Sequence, residues 1–265
     1  MKQKRPGGVR RLIFVVALLT ALFCIGYIFW WFLGSRQHLA ESREAAAQYV
    51  AEPETAAVAD DTAAAASGET STETEAADGV QVDFPALQAV SSDVVGWLRV
   101  SGLDLLDEPV VHRDDNFFLT HGWDGQSSQY GAIFMEEANA TDFSDYHTIL
   151  YGHNMRDGSM FGELDRYADA DFFAEHGGLI TLYTPDGTRQ YQIFAAEYVD
   201  PADPIVYTVG FSPSEEYSEF LRGMLDRALY DTGVELRSDD RVLTLSTCSY
   251  QNRARFVVHA KELAE

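Results

Sequence analysis

The chain has 265 residues, 46% hydrophobic and 23% charged, and a formal net charge of −23. That length holds one ordinary domain plus attachments, or two small domains, and can bury a core that needs no metal or disulfide staple. The acid excess argues against a nucleic-acid binder. The 12% aromatic content argues against a wholly disordered acidic chain, and two cysteines, Cys24 and Cys248, exclude a disulfide-rich scaffold.

Leu12 to Leu33 runs without a charge and is long enough to cross a bilayer as a helix. Trp30 and Trp31 sit near its end, where amphipathic rings favour the lipid–water interface. Lys2, Lys4, Arg5, Arg10 and Arg11 precede it, so the positive-inside rule puts the N-terminus in the cytoplasm and the rest outside. A cleaved signal peptide is the rival reading, but its apolar core is typically shorter. With the five leading cations inside, the outer part carries 14 basic against 42 acidic residues, a charge of −28. Such a field keeps a domain soluble and favours a cationic or amine-bearing partner.

Residues 34–79 are dominated by Ala, Glu, Thr and Asp. Gln37 to Ala51 continues the helix briefly, and Pro53 stops it. The remainder, with Val58 as its one sizeable apolar side chain before Gly79, cannot offset its ordering entropy and reads as a disordered tether. The expected organisation is a basic tail over 1–11, a transmembrane helix over 12–33, an acidic linker over 34–79 and a folded domain over 80–265.

In that domain Phe84, Leu87, Val90 and Val94 recur at helical spacing, so one or two short helices open it. Strand signals follow at Gly96–Val100, Pro109–His112, Ala132–Met135, Thr148–Tyr151, Leu179–Thr184, Arg189–Val199, Arg241–Thr247 and Arg255–Lys261. Pro185-Asp186-Gly187 marks a hairpin turn. About eight strands in under 190 residues predict a mainly β domain, a closed barrel or a sandwich. One helix stands before the penultimate strand. It opens with Ser212-Pro213-Ser214-Glu215-Glu216, carries Phe220, Leu221, Met224, Leu225, Ala228 and Leu229 as an apolar stripe, and can end at Gly233.

Cys248 ends an apolar strand, a place where a side chain reaches a sheet rim. Cys24, inside the span, cannot be its disulfide partner. An inert buried cysteine is the competing reading. A thiol of ordinary pKa, about 8.5, is only a few per cent thiolate at neutral pH, so a nucleophile needs a base or cation beside it. His153 also follows an apolar strand, in the run YGHNM, whereas His112, His121, His147, His176 and His259 have weaker contexts. Arg255 opens the last strand and can stabilise an oxyanion; Arg253 lies on the same strand face and competes for that role. No histidine or acidic spacing reads as a metal or calcium site, and no cofactor is expected.

Taken together, Val95-Gly96-Trp97-Leu98, Pro109-Val110-Val111, Asp115-Asn116, Gly131-Ala132-Ile133-Phe134, YGHNMRDGSMFGEL from Tyr151, TLSTC ending at Cys248 and RFVV from Arg255 resemble a class B sortase, a membrane-anchored cysteine transpeptidase of Gram-positive bacteria. The resemblance spans roughly Asp83 to Lys261. It implies a closed eight-stranded β-barrel with N-terminal helices and one long helix before the penultimate strand. It assigns His153, Cys248 and Arg255 to catalysis, and Ser246, Tyr151 and Asn154 to substrate binding. It implies cleavage after threonine in the sorting signal of an exported protein, then transfer to an amine of a cell-wall precursor at the plasma membrane. The segment LDLLDEPVV departs from the family pattern, with Glu108 before Pro109, and the spacing from Cys248 to Arg255 is short for the family. Another wall-acting cysteine peptidase and a non-catalytic membrane-anchored binding protein are the alternatives.

Overall fold

The computed structural model describes residues 7–52, 79–114, 116–201, 203, 205–248 and 254–263, with the backbone alone at 7–10, 31–33, 35, 36, 38 and 248. The chain divides into two units, Met1–Ser42 and Arg43–Glu265. Helix α1 (Gly7–Ala47) contains the apolar run, and its stretch Arg11–Trp30, of mean hydropathy 2.7, is long and apolar enough to cross a membrane.

The second unit begins earlier than the sequence pattern suggests. Strand β1 (Val50–Ala51) pairs antiparallel with β2 (Gln81–Val82), and Ala46 is buried in one cluster with Phe84 and Leu87. Alanine reads as linker composition, yet its small side chain is what lets a helix end approach a core closely. Residues 53–78, the middle of the expected linker, lie outside the described residues.

Helix α2 (Phe84–Val90) starts because the Asp83 side chain accepts a hydrogen bond from Ala86 N at 3.0 Å, with Pro85 in the first turn. Its apolar face stops at Leu87. Val90 is exposed, and Val94 opens a strand instead of extending the helix.

The remaining elements are β3 (Val94–Val100), β4 (Asp107–Val111), β5 (Ile133–Met135), β6 (His147–His153), α3 (Ala170–His176), β7 (Leu179–Thr184), β8 (Gly187–Val199), α4 (Glu215–Arg227), β9 (Val242–Cys248) and β10 (Arg255–Glu262). All eight expected strands are present, and they close into a barrel in the order β10-β8-β7-β3-β4-β5-β6-β9. Pairing of β9 with β10 completes the ring, so the fold is a barrel and not a sandwich. Two contacts are parallel, β4 with β5 and β6 with β9; the others are antiparallel. The β7–β8 hairpin turns through Pro185-Asp186, with Thr184 paired to Gly187.

Helix α4 is capped by Ser214, whose side chain accepts from Tyr217 N at 3.1 Å. It buries Tyr217, Phe220, Leu221 and Met224. It ends at Arg227, short of Gly233, and leaves Leu225 and Leu229 exposed, so the buried stripe is narrower than the sequence periodicity implies.

Arg43, one turn before the end of α1, donates from Nε to Glu108 on β4 and from Nη2 to the Leu105 carbonyl at 2.9 Å. Glu108 is 4% exposed, and burial pushes its carboxyl up to about 7 against the pull of Arg43. The folded chain therefore holds this proton more tightly than the unfolded chain. The associated stability is present below about pH 4.5 and is lost as pH rises through about 7. In thermal melts Glu108→Gln is expected to flatten that part of the profile, by about 3 kcal/mol across the window. Above pH 7, Arg43→Ala is expected to cost about 3 kcal/mol by leaving the carboxylate buried without its partner.

Candidate active site

Strands β6 and β9, about ninety residues apart in sequence, run parallel and side by side. Their register runs from His147↔Val242 to His153↔Cys248. Adjacent strands lie about 4.8 Å apart, so His153 and Cys248 are direct neighbours at one barrel rim. On the other edge of β9, β10 runs antiparallel with Val257 opposite Ser246. The pairing ends at that pair; β10 opens at Arg255, two residues before Val257, and β9 ends at Cys248, two residues after Ser246. Thr247 fixes that register: its Oγ1 accepts from Phe256 N at 2.9 Å and donates to Phe256 O at 3.1 Å.

His153 is half-buried, and its Nε2 lies 2.8 Å from the Leu119 carbonyl. A carbonyl oxygen only accepts, so Nε2 bears the hydrogen and Nδ1 holds the lone pair of the neutral ring. Leu119 ends a short 3-10 turn, Phe117–Leu119, and Gly131 lies against both the turn and the ring. Gly131 has φ +63°, and a Cβ there would sit 2.5 Å from the Phe118 carbonyl and 3.1 Å from the His153 ring.

The loop after His153 folds back onto it. The His153 carbonyl accepts from Met155 N at 3.1 Å and from Phe161 N at 3.0 Å. Asp157 accepts from Ser159 N and Oγ at 3.2 and 2.6 Å. Gly162 permits the closure, because a Cβ there would lie 2.2 Å from the Met155 carbonyl. The YGHNMRDGSMFGEL motif is thus the scaffold of one histidine. Asn154 is exposed, and its backbone bridges Met160.

Ser246 is fully buried, with its Oγ 3.1 Å from the Tyr207 hydroxyl. The Arg255 guanidinium stands over the Tyr207 ring, 5.1 Å from its centroid. Burial pushes the Tyr207 phenol above its ordinary value, against the Ser246 hydrogen bond and the Arg255 charge, so the phenol keeps its proton. The Arg255 Nε is buried and has no hydrogen-bond partner among the described residues. Tyr151, register partner of Ser246, donates to Glu136 Oε2 at 2.7 Å and stacks toward Tyr207 with ring centroids 6.2 Å apart. Among the described residues no three His, Cys, Asp or Glu side chains converge as a metal site.

The backbone thus brings His153 beside Cys248, with Tyr151 and Ser246 paired two residues below, and Arg255 opens β10 over the Tyr207 ring; Asp115 and Arg253 lie outside the described residues. Sequence reasoning missed Tyr207, Glu136 and the Leu119 carbonyl. Tyr207 sits in an irregular segment without periodicity, and a backbone carbonyl leaves no mark in a side-chain pattern.

A model of the sortase domain matches residues 98–263. The chain belongs to the sortase family. Sortase B of Listeria monocytogenes is 31% identical over 187 residues, covering 69% of this chain and 74% of that relative. Sortase B of Staphylococcus aureus is 31% identical over 186 residues, covering 69% and 75%. The crystal structure of sortase B from Bacillus anthracis in complex with AAEK1 superposes with a TM-score of 0.64 at 31% identity, over 70% of this chain and 86% of that one. The Staphylococcus aureus sortase B–substrate complex gives 0.64 at 30% identity, over 68% and 84%. The fold and these relatives place the chain in class B, as a cysteine transpeptidase.

The support around His153 generates a prediction. Gly131→Ala puts an L side chain at positive φ, at a cost of about 1–2 kcal/mol. It also presses on the Phe118 carbonyl and the His153 ring. A displacement near 1 Å costs about 10² in rate. Steady-state turnover is expected to fall by about that factor, and wild-type kcat in this variant would show that the His153 position tolerates the push.

Proposed function

We propose that this sortase uses Cys248 as nucleophile, His153 as general acid and base, and Arg255 as oxyanion donor, on the sorting signal of an exported protein. The observation carrying this reading is the register that ends β6 and β9 with His153 beside Cys248. The buried Arg255 Nε, without a hydrogen-bond partner among the described residues, supports it, because a donor without a partner inside a protein is costly unless a ligand satisfies it.

In the first half-reaction the Cys248 thiolate attacks the carbonyl carbon of the signal threonine, forming a C–S bond and a tetrahedral oxyanion. Arg255 and backbone N–H groups stabilise that charge. The C–N bond then breaks as the protonated imidazole of His153 gives its proton to the departing amine. In the second, an amine of a cell-wall precursor attacks the thioester, loses a proton to the now neutral His153, and expels the thiolate. Nδ1 is the exchanging nitrogen in both steps, since Nε2–H is held by the Leu119 carbonyl. Ser246 and Tyr151, beside the nucleophile, line the path of the acyl segment, and Asn154 borders it.

The apolar helix spans the plasma membrane once, with the basic tail inside and the catalytic unit outside. Anchoring confines enzyme, exported substrate and lipid-linked precursor to one layer and raises their effective concentration. The −28 charge of the outer part favours an amine-bearing acceptor over an acidic one.

The test incubates the full chain in lipid nanodiscs with sorting-signal peptides varied around proline and threonine, with and without an amine acceptor, and reads products by mass spectrometry. Cleavage after threonine and an amine-dependent ligated product are expected, both lost in Cys248→Ala. Arg255→Ala is expected to lose about 10²–10³ in kcat, far more than Arg253→Ala. Equal losses would transfer the oxyanion role away from Arg255, and turnover by Cys248→Ala would remove Cys248 as nucleophile.

A further inference from the structure

Two pleats below the reaction rim, a chain of polar side chains crosses four strands. His147 on β6, Thr244 on β9 and His259 on β10 are wholly buried, and Glu197 on β8 is nearly so. His147 Nδ1 lies 2.7 Å from the Thr208 carbonyl, and its Nε2 lies 2.8 Å from Thr244 Oγ1. The same hydroxyl lies 2.8 Å from His259 Nδ1, and His259 Nε2 lies 3.1 Å from Glu197 Oε1. Arg227 of α4 donates from Nη2 to that carboxylate at 3.1 Å and pairs through Nη1 with Asp203 at 3.5 Å. Phe220 and Phe211 pack against the His147 ring, and Phe194 against that of His259.

Only some hydrogen placements are allowed. The Thr208 carbonyl only accepts, so His147 Nδ1 carries hydrogen. A second hydrogen on this ring is disfavoured, since burial, with His259 adding to it, pushes His147 down to about 3. Its Nε2 must then accept, and the single Thr244 hydrogen goes there. Thr244 can therefore only accept from His259, whose Nδ1 needs a hydrogen. The Glu197 carboxylate requires another on Nε2. With both histidines neutral the chain is one hydrogen short; one extra proton, on His259 beside Glu197, completes it. Burial pulls His259 below the ordinary histidine range against the pull of Glu197, so uptake falls on the acid side of that range. The charged groups facing the chain are Glu197, Arg227, Asp203 and, near His147, Asp145.

The upper end of this chain holds a functional segment. Thr208 follows Tyr207, whose hydroxyl meets Ser246 and whose ring lies under Arg255. Tyr207 and Val206 also close a small apolar layer with Val199 and Val257, between the chain and the rim. We propose that His147, Thr244, His259 and Glu197 are positioning residues forming a proton-completed clamp, which holds the Tyr207 segment against Ser246 and Arg255 and so shapes the binding site for the acyl segment. The part concerning binding rests on the function proposed above; the clamp itself does not.

The test compares the full chain in nanodiscs, as wild type, Thr244→Val and Thr244→Ser, by hydrogen–deuterium exchange and peptide kinetics. Thr244→Val keeps the side-chain shape and removes the hydroxyl; Thr244→Ser retains it. Exchange over 205–211 is expected to rise about tenfold in Thr244→Val, the size of one lost hydrogen bond, with β6, β9 and β10 unchanged and Thr244→Ser close to wild type. After correction for intrinsic rates, wild-type exchange over 205–211 is expected to slow below pH 6.5 and that of Thr244→Val to stay level. KM for the signal peptide is expected to rise about tenfold in Thr244→Val with kcat and Cys248 alkylation within about twofold. Unchanged exchange over 205–211, or a uniform rise through the barrel, overturns the clamp, and a wild-type segment indifferent to pH overturns its proton. A wild-type protein that turns over no peptide overturns the transpeptidase reading and leaves the exchange comparison to decide the clamp.

Discussion

The parallel pairing of β6 with β9 is the constraint on which the rest depends. The nucleophile and base proposed here, drawn from distant parts of the chain, need a device that fixes both their neighbourhood and their direction. Parallel strands supply it, because both reach the same rim at their C-terminal ends. A slip of one residue would turn every side chain on the strand to the other face. Much of the surrounding sequence reads as insurance against that slip. Thr247 binds both backbone groups of Phe256, and the loop from Asn154 to Gly162 folds onto the His153 carbonyl. The turn ending at Leu119 then sets the imidazole tautomer.

Polar groups do related work at the seams between the barrel and the elements packed on it. Arg43 meets Glu108 where the end of α1 reaches β4, and Arg227 meets Glu197 where α4 reaches β8. Apolar side chains in these places would bury as much surface and ask for no partner. A buried carboxylate asks for one partner in one orientation, and a packing mode that fails to supply it carries an uncompensated charge. The cost in desolvation is offset by docking that has a single geometry. That is useful where the segment between β8 and α4 carries Tyr207 onto Ser246.

The barrel was legible because its strands obey simple chemistry. β-branched and aromatic residues alternate along them, and Gly, Asp and Pro mark the turns, so all eight strands and α4 appear in the sequence near their observed bounds. That Cys248 and His153 end their strands and Arg255 opens one was legible for a second reason: each abuts an apolar run. What escaped notice lacked a periodic signal. Arg43 to Ala51 looks like linker because Ala46 is small, although small size is what admits it to the core. Leu225 and Leu229 fit a helical stripe, but Leu225 lies off the buried face of α4 and Leu229 lies beyond its end at Arg227, so both stay exposed. His147 and His259 read as weak candidates because a histidine amid apolar strand residues has no visible partner until the neighbouring strand is placed.

Those two histidines also explain a polar position on β9. Thr244 and Ser246 share one face and answer to the buried histidines and to Tyr207, and Cys248 ends the strand in register with His153. On the other face Leu243 and Leu245 are fully buried apolar side chains, and Thr247 locks the register to β10. The strand is therefore specified at nearly every position, apolar on one side and hydrogen-bonded in sequence on the other. The nucleophile proposed for the end of such a strand would inherit its rigidity. The segment carrying Tyr207 lies outside the barrel strands, where its Tyr207 hydroxyl meets Ser246 and its Thr208 carbonyl meets His147. Catalysis as proposed here separates two demands: the β-ladder sets His153 beside Cys248, while the surface proposed to meet the acyl segment is held through a few buried hydrogen bonds.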